Sequence, residues 1–94
     1  MQSEYKKIDL TTFFLSIASA AFMGLGKVPM EESGASRVDI DMARQNIDLL
    51  ELLRDKTQGN RTKQEDELLE QLLAEIRLCF VEVKKELDSL SLKS

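Results

Sequence analysis

Few side chains in this sequence could carry out covalent chemistry. The chain has one cysteine, Cys79, and no histidine, so the commonest general base and the commonest metal ligand are both missing. An activated cysteine needs a histidine, a lysine or a helix N-terminus beside it, whereas Cys79 falls inside a predicted helix, on its apolar side. We therefore interpret Cys79 as a structural thiol. Because it is alone, it also leaves no internal disulfide to support the fold.

Carboxylates at the predicted helix starts are the next candidates, since their oxygens could hold a cation. They form two groups of three: Asp39, Asp41 and Asp48, and Glu65, Asp66 and Glu67. Calcium loops space their ligands through a turn that contains a glycine, and di-iron bundles use Glu-x-x-His pairs. Neither pattern is present, and the helix dipole already favours acidic residues in a first turn. We predict no metal site and no carboxylate pair for acid–base catalysis.

Phosphate and nucleic-acid binding also find little support. The segment 24–27, Gly-Leu-Gly-Lys, follows a predicted helix rather than a strand and matches neither common phosphate-loop spacing. The formal net charge is −4, whereas nucleic acid calls for clustered lysine and arginine. We therefore predict that the protein is not an enzyme, and that it binds no cofactor and no nucleic acid.

The elements that position these residues are predicted to be helices, because strand-like alternation is nowhere sustained. Helical periodicity covers residues 10–25, 40–57 and 63–88. The 94 residues allow one small domain, which is marginally stable alone. We divide the chain into a flexible N-terminus (1–8), a single helical domain (9–90) and a flexible tail (91–94).

Capping residues set the expected helix ends. Asp9 and Asp39 are placed to cap the first and second helices, while Gly26 and Gly59 can take the left-handed conformation that ends them. Thr62 with Glu65 forms a capping box for the third helix. Residues 27–37 hold the only proline and are predicted to be a solvated loop. The short link after Gly59 predicts that helices two and three fold back as an antiparallel hairpin.

The first helix is apolar around about 220° of its circumference, more than the ~100° that one core contact needs. Its remaining side is a ridge of small residues at every fourth position: Thr12, Ser16, Ala20 and Gly24. The third helix instead has one apolar seam and a smaller far-side patch, Ala74, Leu78 and Val81. At 1.5 Å per residue, the third helix is expected to be about 11 Å longer than the second, so its apolar end needs a cover.

A second copy of the chain is the simplest cover, because two-fold interfaces are the commonest. We predict a homodimeric helical bundle whose self-association surface is Phe13, Phe14, Ser16, Ile17, Ala20, Phe22, Gly24, Val83 and Leu87. An unidentified protein partner is left open. The alternative is that residues 10–25 bind a membrane surface or a partner's groove, since Lys6 and Lys7 precede this apolar stretch. The stretch is shorter than the ~20 residues that span a bilayer and contains hydroxyl residues, so we predict a cytoplasmic protein.

Three blocks of sequence resemble a bacterial family, the domain of unknown function 1844. They are residues 14–21 running into 25–26, residues 43–50, and residues 56–62 with Glu65 and the leucines up to 76–77. The Lys-Thr-x-Gly-Asn-x-Thr turn of the third block is the most specific part. Arg61 stands where family members often have leucine, and Phe80 lies three residues after Arg77 rather than beside it. The resemblance covers about 9–81 and implies a bacterial, cytoplasmic, all-helical protein with no assigned activity, substrate or catalytic residue.

Overall fold

A computed structural model of the chain describes residues 5–27 and 38–93, with side chains up to Leu90. It contains three helices: α1 (Leu10–Gly24), α2 (Ile40–Lys56) and α3 (Lys63–Lys93). Within these ranges the only β-type pairing is an isolated antiparallel bridge between Leu25 and Val38. The predicted all-α class and the three helices are therefore confirmed, while the predicted loop beyond Lys27 lies outside the described residues.

The starts of α1 and α2 confirm the two predicted aspartate caps. Asp9 accepts a hydrogen bond of 2.8 Å from the backbone N–H of Thr12, and Asp39 accepts one of 3.1 Å from that of Met42. Each bond satisfies one of the backbone donors that a helix start leaves without an intrahelical partner. The side chains of Asp9 and Asp39 thus determine where α1 and α2 begin.

The turn between α2 and α3 also follows the predicted pattern. Gly59 has a φ of 84°, in the left-handed region that glycine adopts without strain. Thr62 and Glu65 then complete the capping box: the Glu65 N–H donates to Thr62 Oγ1 at 3.1 Å, and the Thr62 N–H donates to Glu65 Oε1 at 2.7 Å. Two donors at the start of α3 are satisfied reciprocally.

The end of α3 differs from the expectation. The helix continues to Lys93, five residues past the predicted end at 88, and so takes in most of the segment expected to be a tail. No glycine or proline follows Leu87 in the sequence, so nothing there forces the backbone out of the helical conformation.

The core lies where all three helices meet. α1 and the residue after it contribute Phe14, Ile17, Ala18, Ala21 and Leu25; α2 contributes Ala43, Ile47 and Leu50; α3 contributes Leu69, Leu72, Leu73, Ile76 and Val83. Every α3 residue in this set except Val83 falls between 69 and 76, so the N-terminal half of α3 carries most of its packing. No polar or charged residue is buried in the described part of the chain.

Gly24 lets α1 and α2 approach closely where they cross. A Cβ atom at Gly24 would lie 2.8 Å from the backbone N of Ala43 and 2.9 Å from the carbonyl O of Asp39. The Asp39 N–H also donates a 2.7 Å hydrogen bond to the Gly24 carbonyl. Because the facing atoms are backbone, they cannot move aside as a flexible side chain would, and only glycine fits at this crossing.

Arg61 fastens the turn between α2 and α3. Its guanidinium donates to the Arg54 carbonyl at 2.6 Å, to Thr57 Oγ1 at 2.9 Å, and twice to Asp66 Oδ1 at 2.7 and 2.9 Å. The side chain of Arg61 is only 11% exposed, so its guanidinium N–H groups depend on these partners rather than on water. Arg61 stands where family members often have leucine, and it makes a polar cluster in place of an apolar contact.

Candidate interaction surfaces

The structure separates the nine residues predicted for self-association into three groups by their burial. Four of them lie inside the single chain: Phe14, Ile17, Gly24 and Val83. Phe22 and Leu87 are half-buried and pack against the core, and Ala20 is half-buried. Only Phe13 and Ser16 are exposed. The first four therefore pack within the single chain, while the self-association surface itself stays a prediction.

The reason lies in the width of the apolar sector of α1. A sector of about 220° is wider than one contact needs, and composition alone does not say which part of it turns inward. Phe14, Ile17, Ala18 and Ala21 share one side of α1 and form the core contact. The every-fourth-residue ridge is also divided, because Gly24 at its end packs on α2 while Ser16 stays exposed.

The opposite side of α1 remains accessible. We call it the α1 outer face and define it as Thr12, Phe13, Leu15, Ser16, Ser19 and Ala20. Phe13 is 43% exposed and Leu15 44% exposed, so two large apolar side chains edge a strip of small residues. None of the 15 residues of α1 is charged. The sequence prediction did not include Leu15. Its position two residues after Phe13 could have indicated that Leu15 borders the other side of the strip of small residues.

The hydroxyl at the middle of the α1 outer face already has a partner. Ser16 Oγ donates a 3.0 Å hydrogen bond to the carbonyl O of Thr12, one turn earlier in the same helix. Burying a hydroxyl costs free energy chiefly when its hydrogen bond is lost. The Ser16 bond stays within α1, so another helix could pack over this position at a low cost.

A second accessible apolar surface lies on α2 and α3. We call it the α2–α3 outer face and define it as Leu49, Leu52, Ala74, Leu78 and Val81, all of them exposed. The residues of the predicted far-side patch of the third helix are thus exposed, and α2 carries two exposed leucines of its own. Leu52 lies about 180° around α2 from Ala43, the residue against α1, so Leu52 and α1 are on opposite sides of α2.

A shallow groove runs between the two helices beside this surface, and Val81 belongs to both. Its α2 wall is formed by Arg44, Ile47, Asp48 and Glu51, and its α3 wall by Arg77, Phe80 and Val81. The Arg44 guanidinium lies 5.6 Å from the centre of the Phe80 ring, within cation–π range. Asp48 also borders Leu49 and Leu52, which joins the groove to the leucines of α2.

The residues first considered for chemistry are scattered. Cys79 is half-buried and packs against the core. Among the residues the structure describes, no three His, Cys, Asp or Glu side chains are grouped so that they could hold a metal ion. Likewise, no helix in the described ranges is both long enough and apolar enough to cross a membrane.

The fold and surfaces define a small all-α protein with two exposed apolar faces. A model of the family described as a domain of unknown function, DUF1844, matches residues 7–82. The match covers more than half of the chain, so the chain belongs to the DUF1844 family and the predicted resemblance is confirmed. No curated protein and no solved structure matches the chain. The family description names no function, which leaves the surfaces to indicate one.

Proposed function

We propose that this protein is a non-enzymatic, self-associating helical module of the bacterial cytoplasm, in which two copies pack through their α1 outer faces. The observation that carries the proposal is the exposure of Phe13 and Leu15 on a helix without a charged residue. An apolar strip that no charge interrupts is typical of surfaces that are covered in the working state of a protein.

The charge of the chain supports this choice of surface. Each copy has a net charge of −4, so two copies repel each other overall. Two copies that met through their α1 outer faces would bring no charged residue of α1 into the interface. A two-fold axis near Ser16 would place small residues opposite each other, which allows close approach of the helix axes.

The predicted antiparallel hairpin of α2 and α3 belongs to the same proposal. Two ion pairs support it: Glu51 with Arg77 at 2.5 Å and Arg54 with Glu70 at 3.9 Å. From the first pair to the second, the residue number on α2 rises from 51 to 54, while the number of its partner on α3 falls from 77 to 70. This order is the one expected for antiparallel helices. This hairpin would hold α1 on one side, leaving the α1 outer face free for a second copy.

The mass of the protein in solution tests self-association. We expect light scattering to give twice the monomer mass of 10.7 kDa across the micromolar range. Ser16→Leu removes the close approach and should shift the mass toward the monomer, while Gln64→Leu adds a leucine at an exposed position of α3 and should not. A monomer at every concentration would contradict the proposal.

A second pair of variants covers the case in which Ser16→Leu fails to fold. Phe13→Gln removes a large apolar side chain without adding charge and should weaken the dimer at least about tenfold, the size of effect that an aromatic anchor of an interface has. Leu78→Gln makes the same kind of change on the α2–α3 outer face and should leave the dimer intact. Flotation of a monomeric protein with anionic vesicles would instead favour a membrane surface as the partner of α1.

A further inference from the structure

The groove of the α2–α3 outer face has two unlike walls. Its α3 wall holds Phe80 and Val81 together with Arg77, which pairs with Glu51 of the α2 wall, and Leu78, one turn before Val81, is exposed. Its α2 wall carries Asp48 and also Arg44, whose guanidinium lies over the Phe80 ring. Both arginines thus have contacts within the chain, while Asp48 forms no ion pair in the described residues. A ligand that fills this groove must therefore cover Phe80 and Val81 and satisfy the negative charge of Asp48.

The negative charge on the α2 wall extends along the whole helix. Asp41, Asp48 and Asp55 follow each other at intervals of seven residues, so they lie in one row that drifts only about 20° per interval. All three are exposed. In the described part of the chain none of them forms an ion pair, whereas Glu51 and Asp66 do.

The chemistry that matches both walls is that of a basic amphipathic helix. Its apolar stripe would lie against Phe80, Val81 and Leu78, and lysine or arginine side chains beside that stripe would face the aspartate row. We propose that the α2–α3 outer face docks such a helix from a partner protein. This site uses no residue of the α1 outer face and stands independently of self-association.

A second copy of the chain is a poorer occupant of this groove. It would bring its own aspartate row and its own net charge of −4 against the same surface, and like charges juxtaposed at an interface lower affinity. The same electrostatic argument disfavours an anionic lipid surface. A basic helix is the occupant that lowers the electrostatic free energy of the face while it covers the leucines.

The binding of a designed peptide to the full chain tests the proposal. The probe is a labelled helical peptide of about three heptads, with leucine at the seam positions and lysine beside them. Its control has the same leucines with glutamate in place of lysine. Fluorescence anisotropy should show binding of the lysine peptide and at least about tenfold weaker binding of the glutamate peptide, since the flanking charges then repel the aspartates.

Variants of the chain locate the binding site. Asp48→Asn with Asp55→Asn removes two charges from the row and should weaken binding of the lysine peptide about fivefold at low salt, as expected for two exposed pairs. The matched control, Glu75→Gln with Glu86→Gln, changes the net charge equally at exposed positions about 120–140° around α3 from Val81, and should leave binding unchanged. Leu78→Gln should weaken binding about tenfold, whereas Phe13→Gln should not affect it.

Three outcomes would overturn the docking proposal. Equal losses for the two charge-matched double variants would mean that the peptide responds to overall charge rather than to the row. Equal binding of the lysine and glutamate peptides would remove the charge argument. A change in the mass of the peptide-free protein caused by Leu78→Gln would show that a second copy covers this face; the fate of the α1 contact is read separately, from Ser16→Leu and Phe13→Gln.

Discussion

The α1 outer face and the α2–α3 outer face expose large apolar side chains to a similar degree but differ in charge. Phe13 and Leu15 edge a helix that has no charged residue, while Leu52 and Val81 lie beside a row of aspartates. Judged by their exposed apolar side chains alone, both faces would be expected to bind the same kind of partner. Because they differ in charge, we propose different partners for them: an identical copy for the first and a basic helix for the second.

The largest expected effect comes from the glycine that positions both faces on one scaffold. Gly24→Ala places a Cβ 2.8 Å from the backbone of Ala43, which forces α1 away from α2. We expect the free energy of unfolding, measured by urea denaturation, to fall by about 3 kcal/mol, as for other overpacked sites.

The control for this prediction is Ser19→Ala at an exposed position of the same helix. Alanine has the higher helix propensity, so stability should stay the same or rise slightly. If Gly24→Ala were as harmless as Ser19→Ala, the crossing of α1 over α2 would be looser than the structure has it, and the two faces would not share one rigid scaffold.

A smaller loss is expected at the turn that holds the α2–α3 outer face together. Arg61→Leu introduces the residue that the family often has there, but it removes four hydrogen bonds from the Arg54 carbonyl, Thr57 and Asp66. We expect a loss of about 1–2 kcal/mol in urea denaturation, because the partners that remain are partly reached by water. Arg61→Lys keeps the charge but not the planar fork, and should recover less than half of the loss.

The concentration of salt should affect binding at the two faces differently, without any substitution. Self-association through the uncharged α1 outer face should change by less than about twofold between about 20 mM and about 0.5 M NaCl, where the Debye length shrinks below 5 Å. Binding of the lysine peptide should weaken about fivefold or more over the same range. A dimer that dissociates on adding salt would show that charged groups outside the α1 outer face hold it together.

The smallest effect concerns the cap at the start of α1. A hydrogen bond from the Thr12 backbone, and then one from its side chain, lowers the pKa of Asp9 below its ordinary value of 3.8. A lowered pKa means that the carboxylate stabilises the fold fully above pH 3.8 and that this contribution is lost as the pH falls below it through the folded pKa.

Asp9→Asn tests the acid effect, because asparagine also caps helices but does not titrate. Between pH 5 and pH 3 the variant should lose slightly less stability than the native chain in urea denaturation. An identical decline in both proteins would mean that the carboxylate contributes no acid dependence. The position of Asp9 at an exposed helix start explains why the effect should be small.

Local signals in the sequence predicted the local features of the fold. Asp9, Asp39, Gly59 and the capping box at Thr62 act within three or four residues of themselves, so their roles could be deduced from spacing alone. The direction in which α1 turns its Phe14 side could not, because it depends on α2 and α3. The roles of Gly24 and Arg61 were missed for the same reason: both depend on backbone atoms of another helix or turn.

The contact between Arg44 and Phe80 gives the groove a built-in spectroscopic reporter. The guanidinium lies 5.6 Å from the centre of the aromatic ring, so the ring current should shift the NMR signals of the Arg44 side chain away from those of a free arginine. A helix that enters the groove would displace Arg44 from the ring or press it closer. Either movement would change that shift, so occupancy of the groove could be followed in the unlabelled native sequence.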